Sequence, residues 1–349
     1  MSPEVRVAVD AMGGDRGPSV VVEGAVEFFR SGPAGFTEGV ELTLVGDTAV
    51  LEPLMTKAGA GRHPIRLHHA SQIIGMDEHP AEALKSKPDS SIMVMAGLQK
   101  AGRVDAMAGL GNTGVMMAAS LFALGRLDGV SRPAIAATFP TLGNPAVVLD
   151  VGANVGCKPD NLRQFALMGS AYSRGVFGIP NPRVALLNVG SERTKGSPVE
   201  QETYEMLEHG SSNLNFTGNI EGDGILKGEA DVVVCDGFVG NIVLKFTESI
   251  SDLIGGALFS EMSGHWYSRA GFLLMRSAFS TLWKSLDSAE YGGAPLLGLN
   301  GVSIVAHGNS NPKAIRNAVA AACGFHRSGV NRMISEGLRG MTALRGENQ

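Results

Sequence analysis

Short runs of apolar residues recur along the chain, and each one ends in a polar residue with glycine close by. Short runs rich in valine, alanine and leucine are typical of strands that are buried on both faces of a sheet. The pattern therefore predicts an α/β protein with a mostly parallel sheet packed between layers of helices. The runs lie at residues 5–15, 41–47, 104–114, 146–154, 183–190, 231–241 and 302–310.

The run at 231–241 shows the pattern most clearly. Residues 232–234 predict a buried strand that ends at Asp236 and Gly237, and Gly240 and Asn241 then open a stretch with helical periodicity. The carboxyl ends of parallel strands meet at one edge of a sheet, which is where open α/β proteins bind ligands. We therefore expect the polar residues of all the runs to gather there, namely Asp10, Asp47, Asn112, Asp150, Asn188, Asp236 and His307.

Length and composition limit the class of protein. The 349 residues exceed what one core usually fills, so we expect two α/β lobes in one catalytic unit, 1–335, and a tail, 336–349. A net charge of −5 argues against nucleic acid as the main partner. The chain shows neither a leader pattern at its start nor an apolar run long enough to span a membrane, which predicts a cytoplasmic protein.

Neither a metal site nor a covalent nucleophile is indicated by the sequence. The three cysteines are widely spaced, and the four histidines between residues 63 and 79 match no ligand spacing. The chain also has no GxSxG motif, so a covalent acyl-enzyme is not expected. We expect no metal and no other cofactor.

Three glycines, Gly109, Gly111 and Gly114, form a GxGxxG pattern that allows two interpretations. A dinucleotide site would make the protein a nicotinamide-dependent oxidoreductase, but it needs an acidic residue at the end of the next strand. Asp128 has about the required spacing but lies in a predicted loop. A phosphate cradle, in which Asn112 and Thr113 add donors, fits the residues better.

Eight motifs make the chain resemble the bacterial phosphate acyltransferase (PlsX) family of phospholipid synthesis. They are DAMGGD, GNTG, LDVGAN, KPDNLRQFALMGSAY, LLNVGSERTKG, NFTGNIEG, ADVVVCDGFVGNIVLK and GGAPLLGLNGVSIVAHGNS, in order from about Val5 to about Val330. Two motifs depart from the family, which more often reads SAGNTGA at 109–115 and GEE with further acid at 190–196.

The resemblance implies a fold, an activity and partners. The fold would be a three-layer α/β/α unit of two interlocked lobes, like phosphotransacetylases and isocitrate dehydrogenases. The activity would be transfer of a long-chain acyl group from acyl carrier protein to inorganic phosphate. The partners would be a second copy of the chain, the membrane surface and the membrane glycerol-3-phosphate acyltransferase that uses acyl phosphate. A phosphate acyltransferase that takes short acids from CoA is the alternative within this class.

The chemistry assigns candidate roles. Phosphate is itself the nucleophile, so the protein needs anion-binding N–H groups, a cation and donors to the oxyanion. We place His307, Asn241, Asp236 and Asn154 in the catalytic group, with His307 orienting phosphate or protonating the thiolate. Phosphate and substrate binding is assigned to Asp10, Gly13, Gly14, Gly111, Asn112, Thr113, Gly114, Asp150, Lys195, Gly237, Gly240 and Gly308.

Residues 251–288 are predicted to form a protruding amphipathic helical segment. Apolar residues at helical spacing form one stripe, flanked by arginines, which fits a helix lying on a membrane surface. A third class, a non-catalytic membrane-docking module, rests on this segment, and burial against a dimer partner or in the core is the other interpretation of the stripe. The predicted membrane contacts are Phe272, Phe279, Leu282 and Trp283.

Overall fold

A computed structural model of the chain describes residues 4–32, 35–209, 214–264, 274–275, 277 and 288–346. The strands are β1 (Val5–Asp10), β2 (Val40–Gly46), β3 (Ile65–His69), β4 (Ala106–Leu110), β5 (Ala134–Phe139), β6 (Ala146–Leu149), β7 (Arg183–Leu187), β8 (Asn215–Ile220), β9 (Val232–Val234), β10 (Ala294–Leu297) and β11 (Val302–Ala306). The helices are α1 (Pro18–Ser31), α2 (Thr48–Ala58), α3 (Pro80–Ser86), α4 (Ser91–Lys100), α5 (Thr113–Leu124), α6 (Pro159–Phe177), α7 (Pro198–His209), α8 (Gly222–Lys227), α9 (Gly237–Gly264), α10 (Pro312–Ser328) and α11 (Val330–Gly346). Short 3₁₀ turns lie at Ala60–Arg62 and Ser288–Tyr291.

The strands form one sheet in the order β3-β2-β1-β4-β11-β10-β5-β6-β9-β7-β8. Helices cover both faces, because the strands are apolar on both sides: Val7 and Val9 pack into one layer with Phe28 of α1, and Ala8 packs into the other with Met95 of α4. The expected three-layer α/β/α architecture is confirmed.

The sheet is mostly parallel, as predicted, but the expectation that the polar residues of all the runs gather at one edge is wrong. β10 is antiparallel to both β11 and β5, and β5 is antiparallel to β6. The physical reason is that two short connections, 298–301 and 140–145, turn the chain directly back along the sheet, as only antiparallel neighbours allow. Consequently β1, β2, β4 and β11 end at one edge, here called the first edge, whereas β6, β7 and β9 end at the opposite edge, the second edge.

The two halves of the sheet repeat one plan about a point between β10 and β5. Counting outwards from this point pairs β11 with β6, β4 with β9 and β1 with β7. A side-chain clamp repeats with them: Arg6 in β1 binds Asp105 before β4, and Arg183 in β7 binds Asp231 before β9. In both clamps the carboxylate also accepts the arginine's own backbone N–H, at 2.8 Å. The lobes are therefore structural repeats that run in opposite directions.

The chain end differs from the predicted tail. Helix α11 continues across residue 335 to Gly346, and Leu338 and Met341 are buried in the core. Residues 336–346 are helical because apolar side chains at this spacing pack against α6.

Candidate active site

Four loops pack together at the first edge and bring nine of the predicted site residues into one region. The loops follow β1, precede α3, follow β4 and follow β11. The nine residues are Asp10, Gly13, Gly14, Gly111, Asn112, Thr113, Gly114, His307 and Gly308. Helices α1, α5 and α10 begin here, so their N-terminal backbone N–H groups point towards this edge, as anion sites require.

Glycine is required where the loops touch. A Cβ atom on Gly13 would lie 2.2 Å from the carbonyl oxygen of Leu110, and Gly14 has a φ of 85°. The backbone N–H of Asp15 donates to the carbonyl of Gly308 at 2.8 Å. The loops that follow β1, β4 and β11 are thus locked together at their backbones, and no side chain fits between them.

His307 is exposed at this edge, and the hydrogen bond to its ring is local. The backbone N–H of Asn309 donates to Nδ1 at 3.1 Å. In the neutral ring this leaves the proton on Nε2, which makes no hydrogen bond to the described residues. The same Asn309 accepts a hydrogen bond from Arg16 Nε at 2.7 Å through its side chain. Arg16 was not predicted as a site residue. It is the one basic residue in the glycine-rich loop 11–19, and that position could have indicated an anion contact.

Two of the predicted polar residues support these loops instead of facing a ligand. Asp10 is fully buried and accepts the backbone N–H groups of Met12 and Gly13. Burial raises its pKa, and hydrogen bonds from Ser91 and the loop oppose the rise. Asn112 caps α5 by accepting from Val115, and its amide protons go to the carbonyls of Met76 and Glu78, both at 2.9 Å. Both amide protons of Asn112 are therefore engaged within the protein, and its side chain has none left to donate to phosphate, the role predicted for it.

The second edge holds the other predicted residues, so His307 and Asn241 do not share a site within one chain. β4 and β11 are five residues long, and at roughly 3.3 Å per residue the two edges lie about 16 Å apart. Asp150, Asn154, Asp236, Gly237, Gly240 and Asn241 lie at the second edge, around the start of α9.

Asp150 organises the loop at the second edge. It is fully buried and accepts backbone N–H groups from Ile135, Gly152, Ala153 and Asn154, as well as the side-chain amide of Asn154. Burial raises its pKa, and these hydrogen bonds oppose the rise. The second amide proton of Asn154 goes to the carbonyl of Pro133. Asn154 therefore has no proton for an oxyanion, and the structure assigns it to holding the loop.

Asp236 joins this loop to α9. Its carboxylate accepts the backbone N–H groups of Cys157 at 2.7 Å and Phe238 at 2.8 Å. Burial works against ionisation, but these hydrogen bonds outweigh it and lower the pKa of Asp236. A Cβ atom on Gly240 would lie 1.9 Å from the carbonyl oxygen of Asp150. Asn241 is exposed on the first turn of α9 and has no recorded side-chain hydrogen bond among the described residues.

The cations of the loop before α7 are on the surface. Arg193 forms ion pairs with Glu205 and with Glu208, the latter at 2.9 Å. Lys195 is exposed, and its Nζ lies 3.8 Å from Glu192. Glu205, Glu208 and His209 could also approach a metal ion, but all three are exposed and engaged with Arg193 or with each other. Lys195 remains a candidate for phosphate or carrier contact.

The cysteine thiols are not poised for covalent catalysis. Cys157, Cys235 and Cys323 are buried. Burial, followed by the carboxylate of Asp236, raises the pKa of Cys157 to about 12. Thiols with such a pKa are protonated at neutral pH and are poor nucleophiles.

The dinucleotide interpretation of residues 109–114 finds no support in the geometry. Gly109 lies inside β4, where a Cβ atom would meet the sulfur of Met116 at 2.3 Å, so its role is close packing of α5. The backbone N–H of Leu127 donates to the carbonyl of Gly298 at the second edge. Asp128, the next residue, therefore lies at the edge opposite Gly111 and cannot serve a dinucleotide bound at 109–114.

The predicted membrane contacts Phe272, Phe279, Leu282 and Trp283 lie outside the described residues. Within the predicted segment, Leu253, Leu274 and Met275 are exposed. No helix in the described parts of the chain is both long and apolar enough to cross a membrane.

Comparison with known proteins identifies the family. The family model described as "Fatty acid synthesis protein" matches residues 5–333. The phosphate acyltransferase of Geobacter sulfurreducens is 47% identical over 332 residues, which cover 95% of this chain and 94% of that protein. The phosphate acyltransferase of Heliobacterium modesticaldum is 49% identical over 319 residues, covering 91% and 93%.

Solved structures agree on the fold. The EutD phosphotransacetylase of Staphylococcus aureus has a TM-score of 0.61 at 18% identity, covering 93% of this chain and 95% of that one. A phosphotransacetylase of Streptococcus pyogenes has a TM-score of 0.60, also at 18% identity, with coverage of 91% and 93%. The chain belongs to the fatty acid synthesis protein (PlsX) family of acyltransferases.

Proposed function

We propose that the chain transfers a long-chain acyl group from the thioester of acyl carrier protein to inorganic phosphate, and that the reaction takes place at the first edge. The observation that carries the proposal is the exposed His307, whose ring is oriented by Asn309 and stands beside Arg16 and three helix N-termini. Family membership supports the acyl transfer to phosphate. The carrier protein as donor and the role in phospholipid synthesis rest on the family resemblance.

Phosphate binding is assigned to the glycine-rich loops. Helix N-termini and a guanidinium together favour a phosphate anion. Gly17, before α1, makes no side-chain cap, so the first N–H groups of that helix are free for a ligand. Arg16 uses Nε for Asn309, and among the described residues its terminal nitrogens form no ion pair. Phosphate held here is stripped of part of its water and aimed at the acyl carbon.

The reaction needs no covalent intermediate. A phosphate oxygen attacks the thioester carbonyl carbon, the C–S bond breaks, and the sulfur leaves with its electron pair. The backbone N–H groups of Thr113 and Gly114, at the start of α5, are suited to the oxyanion because Val115 is already taken by Asn112. His307 donates a hydrogen bond from Nε2–H to the attacking phosphate and aims it, and the proton that phosphate releases as the C–O bond forms passes to the leaving thiolate. The products are acyl phosphate and the free thiol.

Substitutions at the two edges test the location. His307→Ala should lower acyl phosphate formation by about 10²-fold or more, the size expected when the group that aims the nucleophile is lost. Asn241→Ala is the matched control, since it removes an exposed, polar group from the other edge. If both residues belong to one catalytic group, as the sequence predicts, the two variants should lose activity equally. A large loss in Asn241→Ala with normal turnover in His307→Ala would move the reaction to the second edge.

The donor is identified in the same assay. Long-chain acyl carrier protein and short-chain acyl-CoA are compared, each with and without phosphate. Preference for the carrier-bound long chain supports the proposal, and preference for short acyl-CoA supports the alternative substrate class. If Lys195 contacts the carrier, Lys195→Glu should raise the carrier KM and leave the phosphate KM unchanged.

An apolar face on α9 supports a homodimer. Phe238, Ile242, Phe246 and Leu253 lie on one side of the helix and are exposed by 60%, 52%, 65% and 69%. A continuous exposed apolar stripe of this length marks an interaction surface. We assign it to a second copy of the chain, so Phe246→Glu should give monomers by sedimentation analysis while the fold remains intact.

Membrane contact is assigned to the segment 251–288. Leu274 and Met275 are 88% and 54% exposed, which supports an apolar surface in this segment. Phe279→Glu together with Leu282→Glu should abolish co-sedimentation with liposomes while dimerisation and activity in solution persist. Monomers or aggregates would instead place the stripe in the dimer interface or the core.

A further inference from the structure

The groove at the end of α5 lies at the second edge, away from the proposed reaction site. It has a volume of about 590 Å³ and is formed by the end of α5 and the loop that leads to β5. Ligand pockets for small molecules commonly occupy roughly 300–1,000 Å³, so the groove is large enough for one. Leu127 and Val130 form its buried apolar floor, and Leu121 lies on its rim, 39% exposed.

The rim of the groove, at the end of α5, exposes two apolar side chains. Phe122, next to Leu121, is 75% exposed. Two adjacent exposed apolar side chains above a buried apolar floor form a surface that a hydrocarbon chain would cover. The polar exceptions in the lining are Arg126 and Asp128, both exposed.

The cation that lines the groove is not neutralised by a carboxylate. Arg126 is exposed and donates through Nη1 to the backbone carbonyl of Ser131. Among the described residues it forms no ion pair, and Asp128, which also lines the groove, does not pair with it. A guanidinium without a carboxylate partner beside an apolar floor suits the anionic head of an amphiphile.

The loop that follows Arg126 is held rigidly by hydrogen bonds. Ser131 donates through both its backbone N–H and its hydroxyl to Gln164 Oε1, each at 2.9 Å, and accepts from Asn161 at 2.8 Å. Leu127 and Val130 are held by backbone hydrogen bonds to Gly298 and within the loop. The groove is therefore a preformed site, which binds a ligand without a loss of loop entropy.

We propose that this groove is a second ligand site, which binds an anionic amphiphile: a long hydrocarbon chain with a phosphate or carboxylate head. The hydrocarbon chain would lie on Leu121, Leu127 and Val130, and the head would be held by Arg126. Fatty acids, acyl phosphates and acyl-CoA share this chemistry. The site is separate from the first edge and does not depend on the reaction assigned there.

The test measures binding of dodecyl phosphate, which the enzyme cannot turn over, to the full-length protein by equilibrium dialysis. Arg126→Glu should weaken binding at one site by at least tenfold, since one charged contact becomes a repulsion, and Leu121→Glu should act in the same direction. Lys57→Glu, which reverses an exposed cation on α2, is the matched control and should bind as the wild type does. Laurate and lauroyl-CoA as competitors distinguish carboxylate from phosphate heads.

The outcomes separate this site from the first edge. Lower stoichiometry in Arg126→Glu with unchanged acyl phosphate formation supports the groove as a second site. Unchanged binding in both Arg126→Glu and Leu121→Glu would overturn the proposal, whatever the result at His307. Loss of both binding and catalysis in a folded Arg126→Glu protein would also overturn it, because the groove would then belong to the reaction. Loss of activity in His307→Ala tests only the first edge.

Discussion

Removal of the Asp150 carboxylate should destabilise the whole second edge. The side chain is fully buried and accepts five hydrogen bonds, four from backbone N–H groups and one from the Asn154 side chain. In Asp150→Ala the N–H of Ile135, inside the sheet, has no water within reach to replace the carboxylate. One buried unpaired donor costs about 1–3 kcal/mol, and each lost loop bond costs about 0.5–1.5 kcal/mol. The free energy of unfolding should fall by at least about 3 kcal/mol.

Urea denaturation followed by circular dichroism measures this loss. Asp128→Ala is the control, because that carboxylate is exposed and its removal should change stability by less than about 0.5 kcal/mol. Asp150→Asn keeps the shape but turns one acceptor into a donor that faces other donors, so it too should be destabilising. If Asp150→Ala unfolds within about 1 kcal/mol of the wild type, the carboxylate does not organise this loop.

Three further changes test other parts of the structure. Gly13→Ala places a Cβ atom 2.2 Å from the carbonyl oxygen of Leu110, so the loop must shift. Acyl phosphate formation should then drop about tenfold or more, and an unchanged kcat would show that the contact can relax. Hydrogen bonds from arginine outweigh burial and lower the pKa of Asp105 and of Asp231. Their contribution to stability is therefore present above the unfolded pKa of about 3.9 and disappears as pH falls through the lower folded pKa, which acid titration of the melting temperature will detect. Burial, followed by the carboxylate of Asp236, raises the pKa of Cys157 to about 12. Iodoacetamide at neutral pH should therefore leave this thiol unlabelled and the activity intact, and a labelled Cys157 in mass spectrometry would contradict its burial.

The strands could be predicted from the sequence, but their directions could not. Runs such as 5–10 and 232–234 are apolar on both faces, and this determines that they are buried strands. Direction depends on the connections, and nothing in the residues 140–145 or 298–301 distinguishes a direct return from the start of a crossover. The error therefore entered at two short loops and divided the predicted site between two edges.

The glycines of the site could be predicted from the sequence, but the roles of its amide side chains could not. Loops that pack closely through their backbones require glycine, as at Gly13. The roles of Asn112 and Asn154 could not be predicted, because a free amide and one that holds a loop look the same in a sequence. Arg126 could not be singled out from the sequence, because an unpaired cation is recognised only when its neighbours are known.

The first lobe is assembled from both ends of the chain. β11 and α10 come from residues 302–328, yet β11 lies between β4 and β10, and α10 packs on α1. During synthesis, β5 to β9 of the second lobe emerge in succession, whereas β4 waits for a neighbour almost two hundred residues downstream. His307 and the loop beside it are therefore among the last parts to be put in place. A ribosome-bound or C-terminally truncated chain would carry the strands of the second edge, but its first edge would lack β11 and His307.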